Sequence, residues 1–561
     1  MDTSSKDRNV AHNPEPSSEP TYSGESTFLC STKFNNEVNL EEVCATLVSS
    51  NLFSFALDST DKIYYKSNGR LKKIILDIDL DIGGLGMKAS GHDDFLSSNP
   101  EDSYSHSFIV ALNLLLSDKK LLSADFGFPP RNARIFMRPM ALKHEGCKEH
   151  EIVIPYIRVY EGGMISVALS PILGFDDKTL RDVVSCEVNR SQRKIISLLC
   201  EKVIHKAFIE CELSQLSIRT RASQRKHYEA LINISLNNPK DVNFLDERIA
   251  AYELINNNKF TISDFSRNLL TLIAKSIAAG SVKTEVSWLS RRYINNSIGD
   301  YWNAKPIIFI SAHTDQHFSA KNNWSAHSDF VDSVLARAHS PDLSNTDLRP
   351  PKDLRMFDDY NNFYSEAVSL MLPSSKITIT PSDETPYTFQ NLKFDILVLN
   401  EAAHIMTIHE MYASIKLSKC KSSLEISDLE LERLKFEESQ LSAFRYGEIF
   451  NFFEEVRLGD QLKFTGTLFK KKLEIKRKAV ELSEKKASEN NTQRTTIAFG
   501  LIASATLSPE LFQPLAKQLG FNYSDDINKL LGISLSIAAV IALLVTTKAI
   551  VKLWRILSSQ N

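Results

Sequence analysis

The chain has 561 residues with 66 Lys and Arg against 69 Asp and Glu, a formal charge of -3. That balance excludes a global attraction to nucleic acid, and no nucleic-acid partner is expected. Hydrophobic residues at 43% and charged residues at 24% are ordinary for a globular protein, which excludes a polytopic membrane body, and the length implies roughly three or four domains. The seven cysteines, Cys30, Cys44, Cys147, Cys186, Cys200, Cys211 and Cys420, include no C-x-x-C pair; they read as reduced thiols in a reducing compartment.

Residues 1–27 are polar and rich in Ser, Pro and Glu, with no apolar core of the kind a secretory signal needs, and read as a disordered tail. A β-rich α/β region is expected over 28–190. It starts with a helix around Leu40 to Ala56, followed by a hairpin from Lys62 to Ile82 turning at Asn68-Gly69. In its second strand Leu76, Ile78, Leu80 and Ile82 alternate with Asp77, Asp79 and Asp81. The D-x-D-x-D spacing offers either a cation site or, as period-2 alternation alone predicts, a solvated strand face. Further strands are expected at Arg134 to Leu142, Glu151 to Tyr160 and Met164 to Leu173.

From Ser191 the pattern turns helical, and a helical region is expected over 191–300, including Ser263 to Gly280 with Asp264 in its first turn. A second α/β region, 301–420, contains the strand PIIFISAHTD, a helix at NNFYSEAVSLML, a strand at SKITITP and a long helix from Asp395 to Lys419. Residues 421–490 form a charged helical stalk, broken near Gly459 or Gly466. Leu424 with Leu431 and Leu434 with Leu441 repeat at seven, as in a coiled coil. Its end is basic, with Lys470, Lys471, Lys472, Lys476, Arg477, Lys478, Lys485 and Lys486. The reading is attraction to anionic headgroups or a solvated helix face.

The last region, 491–561, predicts a transmembrane hairpin. Leu530 to Thr547 runs 18 residues without a charge, and Thr495 to Pro509 runs 15. Basic residues before the first run and after the second place both termini in the cytoplasm. The expectation is a multi-pass inner-membrane protein whose partners are the lipid bilayer, further copies of itself and an inorganic cation. Thr496, Gly500, Ser504 and Ser508 recur every four residues, a stripe suited to close helix packing or to lining a pore, and Glu510 stands at its end.

A soluble body, a long helix entering a first span, a short loop, a second span and a basic tail resemble the CorA-type divalent-cation transporters. That family carries Gly-Met-Asn at the outer end of its first span; Gly520, Phe521 and Asn522 match it at two positions and depart at Phe521. The resemblance covers about the last 140 residues in layout and implies an ion-conducting oligomer. A second resemblance lies at Ile307 to His317, where a strand running into His-x-Asp is similar to the metal-binding turn of co-catalytic zinc aminopeptidases. His313 and Asp315 match; His317, His327 and Asp329 lie near. That family's later Asp and paired Glu elements are not evident. His404 and His409 are five apart, which does not place two rings on one helix face for one metal.

The fold class expected is therefore an α/β (α+β) cytoplasmic body with a helical middle region, a helical stalk and a two-helix hairpin. The function expected is a non-enzymatic sensor or scaffold whose hairpin oligomerises, as a CorA-like channel or a membrane-acting defence effector. The alternatives are a membrane-tethered metallohydrolase centred on His313 and Asp315, or a structural tether for a cytosolic partner. No cofactor is indicated.

Overall fold

The computed structural model describes residues 19–90, 130–204, 249–279, 302–314, 324–338, 351–374 and 389–546, apart from short interruptions within these ranges. The fold is of mixed α and β content, with a large sheet and several helices. In chain order, β1 (Thr21–Lys33) and α1 (Leu40–Ser49) precede β2 (Phe55–Leu57), β3 (Lys62–Ser67), β4 (Arg70–Ile75), β5 (Asp77–Leu80) and β6 (Met87–Ser90). β7 (Asn132–Phe136), β8 (Met140–His144), β9 (Glu151–Tyr160), β10 (Met164–Pro171) and β11 (Phe175–Thr179) follow, then a helical turn from Leu180 to Gln192. β12 (Ile195–Glu201), β13 (Ile249–Glu253), α2 (Ile262–Ala279), β14 (Trp302–His313), α3 (Ser328–Ala336), β15 (Tyr360–Tyr364) and β16 (Ser369–Pro373) complete the sheet region. Among the described residues α4 (Phe389–Lys419), α5 (Ser423–Ala443), α6 (Gly447–Leu458) and α7 (Asp460–Gln518) follow.

Two compact units divide these elements. The first comprises Met1–Lys416 and Glu430–Lys470, the second Leu417–Leu429 and Lys471–Asn561. In the first, fourteen strands form one sheet whose main path runs β15-β16-β14-β1-β10-β9-β7-β2-β3-β4. β1 is its axis, because 13 residues of extended chain are long enough to serve several partners. One edge pairs with β14 nearly end to end; the other pairs with β11 through Thr21–Gly24 and with β10 through Phe28–Lys33. Only β14 with β16 is parallel among the described pairs, with Ile307 to Phe309 opposite Ser369 to Met371.

Alternation along β1 divides the core between two faces. Phe28 and Cys30 join Val43 and Leu47 of α1 and Phe265, Leu269 and Ile273 of α2. Leu29 joins Ile307, Phe309 and Met371 beneath Leu392, Ile396 and Leu397 of α4. The body is thus layered helix, sheet, helix. α4 is covered on its other side as well, where Val398, Ile405 and Met406 meet Ile449, Phe452 and Phe453 of α6. That double contact explains why its sequence shows no clean polar stripe.

Several expected elements appear as anticipated: β9, β10, β14, α2 and α4, and the β3–β4 hairpin, in which Ser67 pairs with Arg70. The break expected near Gly459 separates α6 from α7, whereas Gly466 lies inside α7. Others differ. The expected helix over Ile195 to Glu201 is β12, because a continuous apolar run fits a strand paired on both sides, here with β8 and β13. NNFYSEAVSLML is not a helix but the β15–β16 hairpin, closed by Ser365, whose N–H and Oγ donate to Val368 O while its Oγ accepts from the Val368 N–H. The strand expected at SKITITP lies outside the described residues, and Asp77 and Asp79 lie on β5, which pairs with β6 in a separate two-stranded sheet.

The membrane assignment does not hold. No helix among the described residues is long and apolar enough to cross a membrane. The run from Thr495 to Pro509 lies in α7, a 59-residue helix whose Thr, Ser and Gly content keeps hydropathy low; its 15 uncharged residues span only about 22 Å at 1.5 Å per residue, against about 30 Å of hydrocarbon. Of Leu530 to Thr547 only fragments are described. The multi-pass membrane localisation, its inner-membrane and transmembrane features and the ion-transport role built on them are corrected accordingly.

Candidate functional site

The densest polar chemistry in the body is buried where α4 crosses the sheet. Register places Ser31 of β1 beside Ser166 of β10, and Ser166 beside Arg158 of β9, in one row. Glu401 and His404, one helical turn apart on α4, face that row. Arg158 donates to Glu401 Oε2 at 2.6 Å, Tyr160 donates to the same oxygen at 3.0 Å and Ser166 donates to Oε1 at 2.9 Å. The Ser31 hydroxyl meets His404 Nδ1 at 3.0 Å. One to two turns earlier, Ser369 donates to Asn400 Oδ1 at 2.6 Å, and Lys393 reaches Glu25 and the Ser170 hydroxyl.

Lys305 completes this layer from β14. It is 2% exposed and its Nζ, which makes no hydrogen bond, sits 3.6 Å from the centroid of the Tyr364 ring. Burial drives its pKa well below that of an ordinary lysine. His404 is likewise pushed far down, first by burial and then by Lys305. His409, on the same helix, stacks on Phe436 with ring centroids 3.8 Å apart and is lowered to about 3 by burial, with Lys33, Arg433 and Lys416 adding to it.

This arrangement saturates its carboxylate and excludes water. Glu401, His404, Ser31, Ser166, Tyr160 and Arg158 are all below 5% exposed, so the network fixes the register of α4 on the sheet and presents no reactive group to a substrate.

At the far end of β14, His313 and His327 come together with ring centroids 4.5 Å apart. His313 Nε2 lies 3.2 Å from Pro373 O, and the Tyr22 hydroxyl lies 2.9 Å from His327 Nδ1. Tyr22 also stacks on Phe330 at 3.7 Å. Asp315 and His317 lie outside the described residues, and Asp329 lies in the first turn of α3. Among the described residues no group of three His, Cys, Asp or Glu side chains could hold a metal ion.

Thr496, Gly500, Ser504, Ser508 and Glu510 all fall on α7. Thr496 is exposed and donates to Thr492 O at 2.8 Å; a Cβ at Gly500 would meet open space. An open groove of about 560 Å³ runs along this part of α7, lined by Glu484, Ser488, Thr492, Thr496 and Phe499 among others. Gly520 adopts a φ of 81°, the left-handed region that favours glycine; Phe521 and Asn522 lie outside the described residues. In the second unit, Glu484 accepts from the Ser423 N–H at 2.8 Å and from the Ser423 hydroxyl at 2.6 Å, capping the start of α5.

Sequence reasoning missed Arg158, Glu401 and Lys305. The signal for Glu401 is an acidic residue amid the apolar run of α4; its partners, 235 to 243 residues earlier in the chain, carry no local mark. No protein-family model, no curated protein and no solved structure matches this chain.

Proposed function

We propose that this protein is a non-catalytic scaffold that self-associates through its C-terminal helices, with the sheet body as a rigid platform. The observation supporting it is apolar surface in the wrong place for an isolated chain: Ile475 and Leu482 of α7 are 70% and 68% exposed, and Phe499 and Ile502 are exposed further along. Leu424, Leu431 and Leu434 of α5 are exposed as well. Large apolar side chains repeated along helices mark surfaces that other helices cover. The buried Arg158–Glu401 network supports the platform role, since it locks α4 without leaving a reactive group at the surface. Light scattering of the full-length chain across micromolar concentrations tests the reading; a mass fixed at one chain throughout refutes it.

A second reading, a metal-dependent hydrolase with His313 and Asp315 among its ligands, draws on the approach of His313 to His327. Elemental analysis of the purified chain tests it: stoichiometric zinc or manganese lost on His313→Ala supports it, and absence of metal refutes it.

A further inference from the structure

The two ends of the sheet's main path are finished differently. At the β15 end the chain covers its own edge: the Leu354 N–H donates to Asn362 O at 2.9 Å, and Asp353 bridges to Phe363. At the other end β4 pairs with β3, in a register running from Ser67 opposite Arg70 to Lys62 opposite Ile75, and among the described residues no strand pairs with its outer side. An antiparallel strand spends alternate residues on each neighbour, so every second residue of β4 turns its N–H and C=O outward. The side chains flanking that row are mostly cationic: Arg70, Leu71, Lys72 and Lys73 are all exposed. Alternation puts Arg70 and Lys72 on one side of the sheet and Leu71 and Lys73 on the other. Lys73 is committed to Glu41 of α1 and lies over the Tyr64 ring. Arg70 and Lys72 form no ion pair with any described residue.

We propose that this edge receives an extended acidic segment of another protein, which adds to the sheet as a further strand beside β4. Backbone pairing supplies the part of the affinity that any strand would have, and carboxylates at alternate positions, opposite Arg70 and Lys72, supply the selectivity. Charge chooses the occupant. A second copy of β4 on the same edge would bring Arg70, Lys72 and Lys73 against the same three cations in either orientation, and like charges facing across strands are destabilising. The cations thus guard the edge against self-pairing, while a strand with a carboxylate at every second residue meets opposite charge at both free positions. The outward backbone groups select a peptide over a nucleic acid, because phosphates accept hydrogen bonds but donate none to the exposed carbonyls. This surface belongs to the first compact unit and is independent of self-association through the C-terminal helices.

Fluorescence anisotropy of the full-length chain with a labelled, end-capped octapeptide of alternating Glu and Val tests the proposal. Saturable binding is expected, with protection of β4 amides in hydrogen exchange. Arg70→Glu with Lys72→Glu is expected to weaken binding by roughly ten-fold and to create binding of an octapeptide of alternating Lys and Val, which the wild type should not take. Both substituted side chains are exposed, and far-UV circular dichroism checks that the variant folds as the wild type does. The acidic octapeptide N-methylated at every amide keeps its charge but cannot donate to the edge, so it is expected not to bind, and neither is an oligothymidylate of equal charge. Absence of binding of the acidic octapeptide to the wild type overturns the proposal. Equal binding of the N-methylated peptide or of the oligothymidylate overturns strand addition, leaving only attraction between charges. Binding unchanged by the charge reversal, or protection that spares β4, overturns the choice of this edge.

Discussion

Truncating Glu401 isolates the energetics of the α4–sheet interface. In Glu401→Ala the guanidinium of Arg158 loses its carboxylate at a site where the two side chains are 5% and 1% exposed, and the Tyr160 and Ser166 hydroxyls lose their acceptor. Breaking one side of a buried ion pair costs about 3–5 kcal/mol, because the remaining charge stays desolvated. Each hydroxyl that loses this acceptor adds up to about 1 kcal/mol, partly overlapping that figure. Replacing the pair by Arg158→Met with Glu401→Leu removes the stranded charge and should recover most of the loss, to within about 2 kcal/mol of wild type. Urea titration followed by far-UV circular dichroism measures the stability. Hydrogen exchange of β9 and β10 amides locates it, since opening should concentrate on the strands beneath Glu401. A cost below about 1 kcal/mol for Glu401→Ala, or a double variant as unstable as the single one, refutes the view that this network is a fully desolvated latch.

Three further outcomes follow from neighbouring groups. Lys305→Met should raise stability at pH 7 by about 1–3 kcal/mol: burial depresses the pKa of the native lysine, so folding disfavours its charged form, a penalty that fades as pH rises toward 10.5. The gain, measured by urea titration, should therefore shrink between pH 7 and pH 10. His409 has the same sign in an acidic window. Its ring is held at about 3 against about 6.5 unfolded, so its stabilising contribution is complete above pH 6.5 and is lost as pH falls toward 3. His409→Phe, which keeps the stack on Phe436, should lose about 2–3 kcal/mol less than wild type between pH 7 and pH 4.5. Gly24→Ala should lower stability by at least about 2 kcal/mol, because the added Cβ would lie 2.1 Å from the backbone oxygen of Phe309 at the bulge where the β1–β14 register shifts; a thermal midpoint unchanged from wild type would refute that close approach.

The legible parts of this fold are those where an element is long or its turn is marked by glycine. α2 and α4 run 18 and 31 residues, and β9 and β10 meet at Glu161-Gly162-Gly163, where Gly163 has a φ of 79°. Misreadings arose where local pattern was ambiguous and neighbours decided. β12 is apolar on both faces, so periodicity alone does not separate it from a buried helix; NNFYSEAVSLML contains one turn that tertiary pairing made into a hairpin. The uncharged C-terminal runs carry the length and flanking charges of a hairpin, but the first lies in a helix whose Thr, Ser and Gly lower its hydropathy, and most of the second lies outside the described residues. His313 was legible as the end of an apolar strand, yet its meeting with His327 depends on where α3 packs. Glu401 and His404 were visible as polar residues in an apolar helix, but Arg158 and Ser31 reach them only through the register of three strands.

The position of β1 also governs how the protein must be made. Thr21 N–H donates to Thr314 Oγ1 across 293 residues of sequence, so a strand at the centre of the sheet leaves the ribosome long before the neighbour on its β14 edge exists. At roughly 5–20 residues per second, that edge stays open for about 15–60 s during synthesis. Its apolar Phe28 and Leu29 make it a template for pairing with other nascent chains in that interval. Yield of native protein should therefore depend on translation rate and on factors that shield the early strand, more than on the stability of the finished sheet.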